Sequence, residues 1–207
     1  MGNDDWDFDS VCHLYQSLEN DEVRGTRGPH LIVRASEHEL GKIQKAFLTG
    51  VYQCGFPLVL DLNASIAEGA GPSPVYRRGD DRVSAAKTFI DPTRHFPNLE
   101  ILSESLVDRI TFSNNRAAGI LLANKRHILA THEVILSTGA ILSPAILQRS
   151  GIGRSQLLHR HCITSVIDLP IGLYAHDHPC IPTVAKQRPG SYEKDDYSLR
   201  CHGRWSS

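Results

Sequence analysis

Three clusters in this chain hold residue types that can do chemistry. The densest is His176-Asp177-His178-Pro179-Cys180, with four potential metal ligands within five residues. No second pair of ligands stands out elsewhere, so a metal is not expected there. The second cluster is the stretch GAILSPAILQRSGIG, residues 139–153, preceded by Ser137 and Thr138. Small residues at a turn into a helix let a ligand approach the backbone, and a helix N-terminus favours anionic groups. The same residues also suit a tight turn that needs only to pack. The third cluster is Arg77, Arg78 and Arg82. It reads either as an anion site or, more simply, as a solvated loop face.

These clusters need elements to position them. Val134-Ile135-Leu136 is a short apolar run closed by Ser137-Thr138-Gly139, which predicts a buried strand over 133–138 with Gly139 at the turn. Ser143 as N-cap and Pro144 at the first helical position predict a helix over 143–149, ended by Gly151. Upstream, the runs LEILSE, LVDRITF, RAAGILLA and HILATHEVILS predict a β-meander over 99–130. Its hairpin tip falls at Asn114-Asn115, because asparagine tolerates positive φ.

In the N-terminal half, Phe8, Val11, Leu14, Tyr15 and Leu18 fall at helical spacing, with Asp9 or Ser10 as cap. A short strand is predicted at 31–34. Ser36 and Glu39 form a capping box ahead of an apolar stripe of Leu40, Ile43, Phe47 and Val51, which predicts a helix ended by Gly55. Residues 61–82, including Glu68-Gly69-Ala70-Gly71, read as loop, and 83–90 as a short helix or turn. Residues 181–207 are polar and aperiodic and read as a frayed tail.

Composition narrows the function classes. With 207 residues, 41% hydrophobic and 22% charged, the chain can bury a sizeable core. Its 22 basic and 23 acidic residues leave a net charge of −1, which gives no general attraction for nucleic acid or anionic membranes. No apolar run reaches membrane-spanning length, and the polar start lacks the pattern of a secretory leader, which leans slightly toward the cytoplasm. Five scattered cysteines without a C-x-x-C read as free thiols.

GAILSPAILQRSGIG resembles the second signature of the glucose–methanol–choline (GMC) oxidoreductases, which use FAD. DWDFDSVCHLYQSLEN, GFPLVLDLN with EGAG, RVSAAKTFIDP, PNLEILSESLVDRI, and DLPIG followed by DHP are similar to other family segments in the same order. The resemblance covers roughly residues 5–180. It implies a mixed α/β fold: part of a substrate-side cap over 1–83, the C-terminal part of an FAD-binding domain over 84–180, and a polar tail over 181–207. It implies cofactor contacts at Val107, through its main chain to adenine, at Ser137, Thr138 and Gly139 near the nucleotide, and at Asp177.

The implied reaction is oxidation of the CH–OH group of a small alcohol, with hydride passed to FAD. The family's G-x-G-x-x-G fingerprint, its first signature and its catalytic histidine segment match nothing in this sequence, and Tyr174-Ala175 stands where Asn-Leu is usual. The chain therefore reads as the middle of such an enzyme. The alternative reading is an inactive remnant without bound FAD that acts, if at all, through a partner. No catalytic residue is assigned, His178 included.

Overall fold

The computed structural model describes residues 4–25, 27–63, 68–182, 186, 188–190 and 201–205. The helices are α1 (Phe8–Leu18), α2 (Lys42–Gln53), α3 (Gly139–Arg149) and α4 (Ser155–Arg160). The strands are β1 (Glu19–Asn20), β2 (His30–Leu31), β3 (Gly69–Pro72), β4 (Arg77–Arg78), β5 (Asp81–Arg82), β6 (Val107–Ser113), β7 (Arg116–Leu122), β8 (His127–Leu129), β9 (Ile152–Gly153), β10 (Ile167–Asp168) and β11 (Cys201–Arg204). The mixture of helices and short strands is the mixed α/β class the sequence implies. The chain divides into two compact units, residues 1–99 with 183–207 and residues 100–182.

In the first unit, α1 begins at Asp7, whose carboxylate accepts the Ser10 N–H at 2.7 Å. The cap is therefore Asp7 and not Asp9 or Ser10. The predicted stripe of α1 faces outward, with Phe8, Leu14, Tyr15 and Leu18 all exposed. The Ser36–Glu39 capping box forms, but it starts a 3-10 turn at Glu37–Glu39. Gly41 then re-caps the chain into α2, so the single helix expected from Ser36 is broken in two. Leu40 and Val51 are buried with Ile32, Ala35, Leu62, Ala70 and Val83.

The 61–82 segment is more ordered than its glycine content suggests. It contains β3 and the β4–β5 hairpin. Gly69 and Gly71 serve close approach, since a Cβ at either would strike the carbonyl of Pro57 or Val59. Residues 64–67 of that segment lie outside the described residues. Within 181–207, read from sequence as frayed, β11 is ordered and pairs with β3. Residues 183–185, 187, 191–200 and 206–207 of that segment lie outside the described residues. Among the described residues no helix is long and apolar enough to cross a membrane.

In the second unit, β6, β7 and β8 form the expected meander, with Ile110 opposite Ile120 and Ile120 opposite Ile128. Asn114 (φ 49°) and Asn115 (φ 61°) make its tip, the two positive φ values that a two-residue turn matched to strand twist requires. LEILSE is not part of it; residues 99–102 are irregular. Ile110 and Leu122 of the meander, Ile146 of α3 and Leu158 of α4 are the buried apolar residues of this unit.

Two expectations around Gly139 are corrected. Residues 133–138 form no strand, because no described segment pairs with them as a ladder; Ile135 is 79% exposed. The helix begins at Gly139, four residues before Ser143, which places Pro144 inside it. Ser143 does not cap; its hydroxyl shares a 3.0 Å hydrogen bond with Thr138 Oγ1.

Candidate functional site

The turn into α3 is held by its far end. Ser150 follows the helix and is buried. Its hydroxyl accepts the Ile110 N–H of β6 at 2.8 Å and donates to Ile146 O at 2.6 Å. Arg149 Nε donates to Asp108 O at 2.6 Å. These two contacts fix the last turn of α3 against the start of β6. Gly151, at φ 89°, then turns the chain into β9, which pairs in parallel with β10. A Cβ there would lie 2.5 Å from Thr164 O, so this glycine is required twice over. Gln148 Nε2 donates to Ile171 O at 3.0 Å and ties the 171–172 segment to the same helix.

The near end of α3 is built differently. Ser137, Thr138 and Gly139 are all exposed. The Thr138 hydroxyl pairs with the Ser143 hydroxyl and caps no backbone N–H, so it leaves the first-turn N–H groups without a capping acceptor. Gly139 has φ 87°, yet a Cβ there would meet nothing within 4 Å. Backbone conformation needs the glycine; packing does not. The open face of an uncapped helix start suits an anionic ligand.

Val107 is the half-buried first residue of β6, paired with Leu122. Its neighbour Asp108 meets Arg149 at the C-terminal end of α3. Val107 and Gly139 thus lie toward opposite ends of a helix of 11 residues, about 16 Å long. A ligand touching both must be extended. The space at Gly139 is free for such a ligand, since a Cβ there would meet nothing within 4 Å. Asp177 is exposed, and its carboxylate accepts the backbone N–H of His178 at 2.8 Å. His176, His178 and Cys180 are also exposed; among the described residues no group of three His, Cys, Asp or Glu side chains is placed to hold a metal.

The densest charge centre lies in the first unit, and sequence reasoning passed over it. Arg34 grips Asp21 with both nitrogens, Nη1–Oδ1 at 2.5 Å and Nη2–Oδ2 at 3.0 Å, and reaches Asp61 Oδ1 at 3.3 Å. Arg24 adds Asp21 at 3.3 Å, Glu19 at 3.4 Å and Asp61 at 3.7 Å. The Asp21 side chain is fully buried and that of Arg34 is 7% exposed. Burial alone would raise the Asp21 carboxyl; the Arg34 guanidinium, the Val23 N–H and Arg24 outweigh it and hold it below its ordinary value. The network borders a cleft of about 670 Å³ that Ser36, Glu39, Arg77 and Arg78 also line.

Of the arginine cluster, Arg77 is committed to the Glu39 carboxylate and to Gly79 O. The Ser36 N–H, Arg77 and the Ser36 hydroxyl together pull the Glu39 carboxyl down to about 2. No periodicity announces such a network, because its members lie 13 and 27 residues apart. The one local signal is Asp21 and Gly25 four residues apart, which close a tight turn by reciprocal backbone hydrogen bonds.

The family profile described as GMC oxidoreductase matches residues 1–180. The oxygen-dependent choline dehydrogenase of Burkholderia thailandensis is 35% identical over 188 residues, 86% of this chain and 33% of that protein. The same enzyme of Serratia proteamaculans is 35% identical over 192 residues, 86% of this chain and 34% of its own. Among solved structures, pyridoxine 4-oxidase from Mesorbium loti superposes with a TM-score of 0.75 at 28% identity, over 82% of this chain and 35% of that one. An FAD-dependent oxidoreductase from Chaetomium thermophilum gives 0.75 at 25% identity, over 82% and 33%. The chain spans about a third of the length of the curated relatives it matches. With this match over 180 residues and the signature seated on α3, the chain belongs to the GMC oxidoreductase family of flavoproteins.

Proposed function

We propose that this chain supplies the adenine-side contacts for FAD, with part of the substrate-side cap, in an oxidoreductase acting on the CH–OH group of a small alcohol. The observation that carries the reading is the open, uncapped turn at Ser137–Gly139, set inside the segment that matches the family. The relatives named as choline dehydrogenases support an alcohol as the donor. FAD, when bound, accepts the hydride.

This chain's own part is to bind and orient. Val107 presents main chain toward the adenine. The Ser137–Gly139 turn presents N–H groups and no bulky side chain toward the nucleotide, and Asp177 is the further contact that the resemblance implies. None of these residues removes the alcohol proton. The resemblance gives that role to a histidine segment that matches no part of this chain. A second reading, a chain without FAD that acts through a partner, draws on the absence of a G-x-G-x-x-G stretch from the 207 residues.

Titration of the 207-residue chain with FAD, followed by flavin fluorescence polarisation, separates the two. The expected result is weak, saturable binding that ADP displaces and riboflavin does not. Displacement by riboflavin but not by ADP would overturn the adenine-side assignment, and no binding at all would favour the second reading.

A further inference from the structure

The family match ends at residue 180, yet residues beyond it are built into the first unit. β11 pairs antiparallel along the whole of β3, from Cys201 opposite Pro72 to Arg204 opposite Gly69. The other edge of β3 is already taken: Val59 N–H donates to Ala70 O at 2.8 Å, and Ala70 N–H to Pro57 O at 3.0 Å. β11 therefore closes the last open edge of β3.

Four residues of Cys201–Trp205 also reach a different neighbour each. Cys201 is buried, its thiol 3.9 Å from Gln44 O in α2. His202 Nδ1 and Ser73 Oγ share a 2.8 Å hydrogen bond. Arg204 Nη1 donates to Leu62 O at 3.3 Å, and the Trp205 ring meets Phe56 edge-on at 5.5 Å.

We propose that Cys201–Trp205 is a detachable strap, a short strand that docks on β3 of its own chain and lifts off without unfolding the unit beneath. Much of the unit is held without it. The Asp21–Arg34 network involves no strap residue. Of the buried apolar residues, the strap meets Ala70, opposite Gly203, and Leu62, through its carbonyl, while Ile32, Ala35, Leu40, Val51 and Val83 lie elsewhere in the core. The strap adds one buried side chain, Cys201, and a single tie at each neighbour. A four-residue edge strand so held belongs to the low-stability end of a domain, where local opening precedes global unfolding. Lifted, it bares the β3 edge, a surface that accepts an extended strand through main-chain hydrogen bonds.

Thiol labelling of the full 207-residue chain with a maleimide, read residue by residue by mass spectrometry, tests this together with amide exchange. Cys54, Cys162 and Cys180 are exposed and serve as internal references. Cys201 should label at least about tenfold more slowly than these. The double variant His202→Ala/Trp205→Ala should raise Cys201 labelling by about tenfold and speed exchange at Gly69–Ser73, with exchange in α2 and at Ile32 unchanged. Ser73→Ala, which cuts one tie from the other side, should give the same pattern with a smaller rise. Labelling of Cys201 as fast as Cys54 in the unmodified chain would overturn the docking. No change in either variant, or loss of protection across the whole unit, would overturn the strap as a separable element.

Discussion

The Asp21–Arg34 centre and the Ser150–Gly151 junction both fasten a turn to a neighbouring element, by opposite means. The first gathers two arginines and three carboxylates where only mutual pairing offsets their removal from water. The second uses one neutral hydroxyl with both its partners filled, followed by a glycine that nothing larger could replace. A charged centre tolerates solvent change poorly and fails when one partner is lost. A glycine junction is indifferent to pH and salt and fails when one carbon is added. The open turn at Gly139 has neither kind of fastening.

The largest expected effect tests the charged centre. Arg34→Met leaves Asp21 buried with only Arg24 and the Val23 N–H beside it, and should cost about 3–5 kcal/mol. Amide exchange should show that loss in the first unit and leave the β6–β7 hairpin protected. Equal loss in both units would break the comparison. Next comes Gly151→Ala, where φ 89° and the approach to Thr164 O act together; chemical denaturation should register a loss of about 1–3 kcal/mol in the second unit. Gly139→Ala has the same positive φ without a neighbour to strike, and should cost about 1 kcal/mol, the low end for such strain. The gap between the two alanine variants isolates the packing component. If they cost the same, the open face at Gly139 is not open.

The smallest effect is electrostatic. Glu39 titrates at about 2 against an ordinary 4.5, so its stabilisation is complete above pH 4.5 and is lost as pH falls through about 2. Asp21 has the same sign: its contribution is complete above its ordinary 3.8 and is lost only as pH falls through its lowered value. Thermal melting of the first unit should therefore weaken between pH 4.5 and 2. Because the Glu39 side chain is 38% exposed, solvent screening should hold its share to about 1 kcal/mol or less, and Glu39→Gln should remove that share. A pH-independent melting temperature across that window would contradict the role given to these carboxylates.

Local chemistry was legible in the sequence and pairing was not. Asn114-Asn115 announces its turn because two positive φ values leave few alternatives. That this stretch is helical was readable from spacing, but neither its Asp7 cap nor the outward turn of its apolar stripe was, since period alone does not say what lies opposite. Residues 133–138 have the composition of a strand and no described partner, and a strand exists only as a pair. β11 has the converse history: Cys201–Arg204 is polar and aperiodic, and pairing with β3 alone makes it a strand. Pro144 misled because proline is commonest at a helix start, whereas α3 begins at the φ 87° of Gly139. The signature and the two residues before it split into two groups that sequence could not separate: Ser150 and Gly151 pack, while Ser137, Thr138 and Gly139 are exposed.

The most direct measurement of the central claim is a two-dimensional amide NMR titration of the chain with FAD. The account predicts shifts at Val107, at Ser137–Gly139 and at Asp177, saturating together, with the Asp21–Arg34 region unmoved. In Gly139→Val, which fills the free space, those shifts should vanish at the same FAD concentration while the rest of the spectrum holds. Shifts confined to the first unit, or shifts at Gly139 that survive the valine, would contradict it.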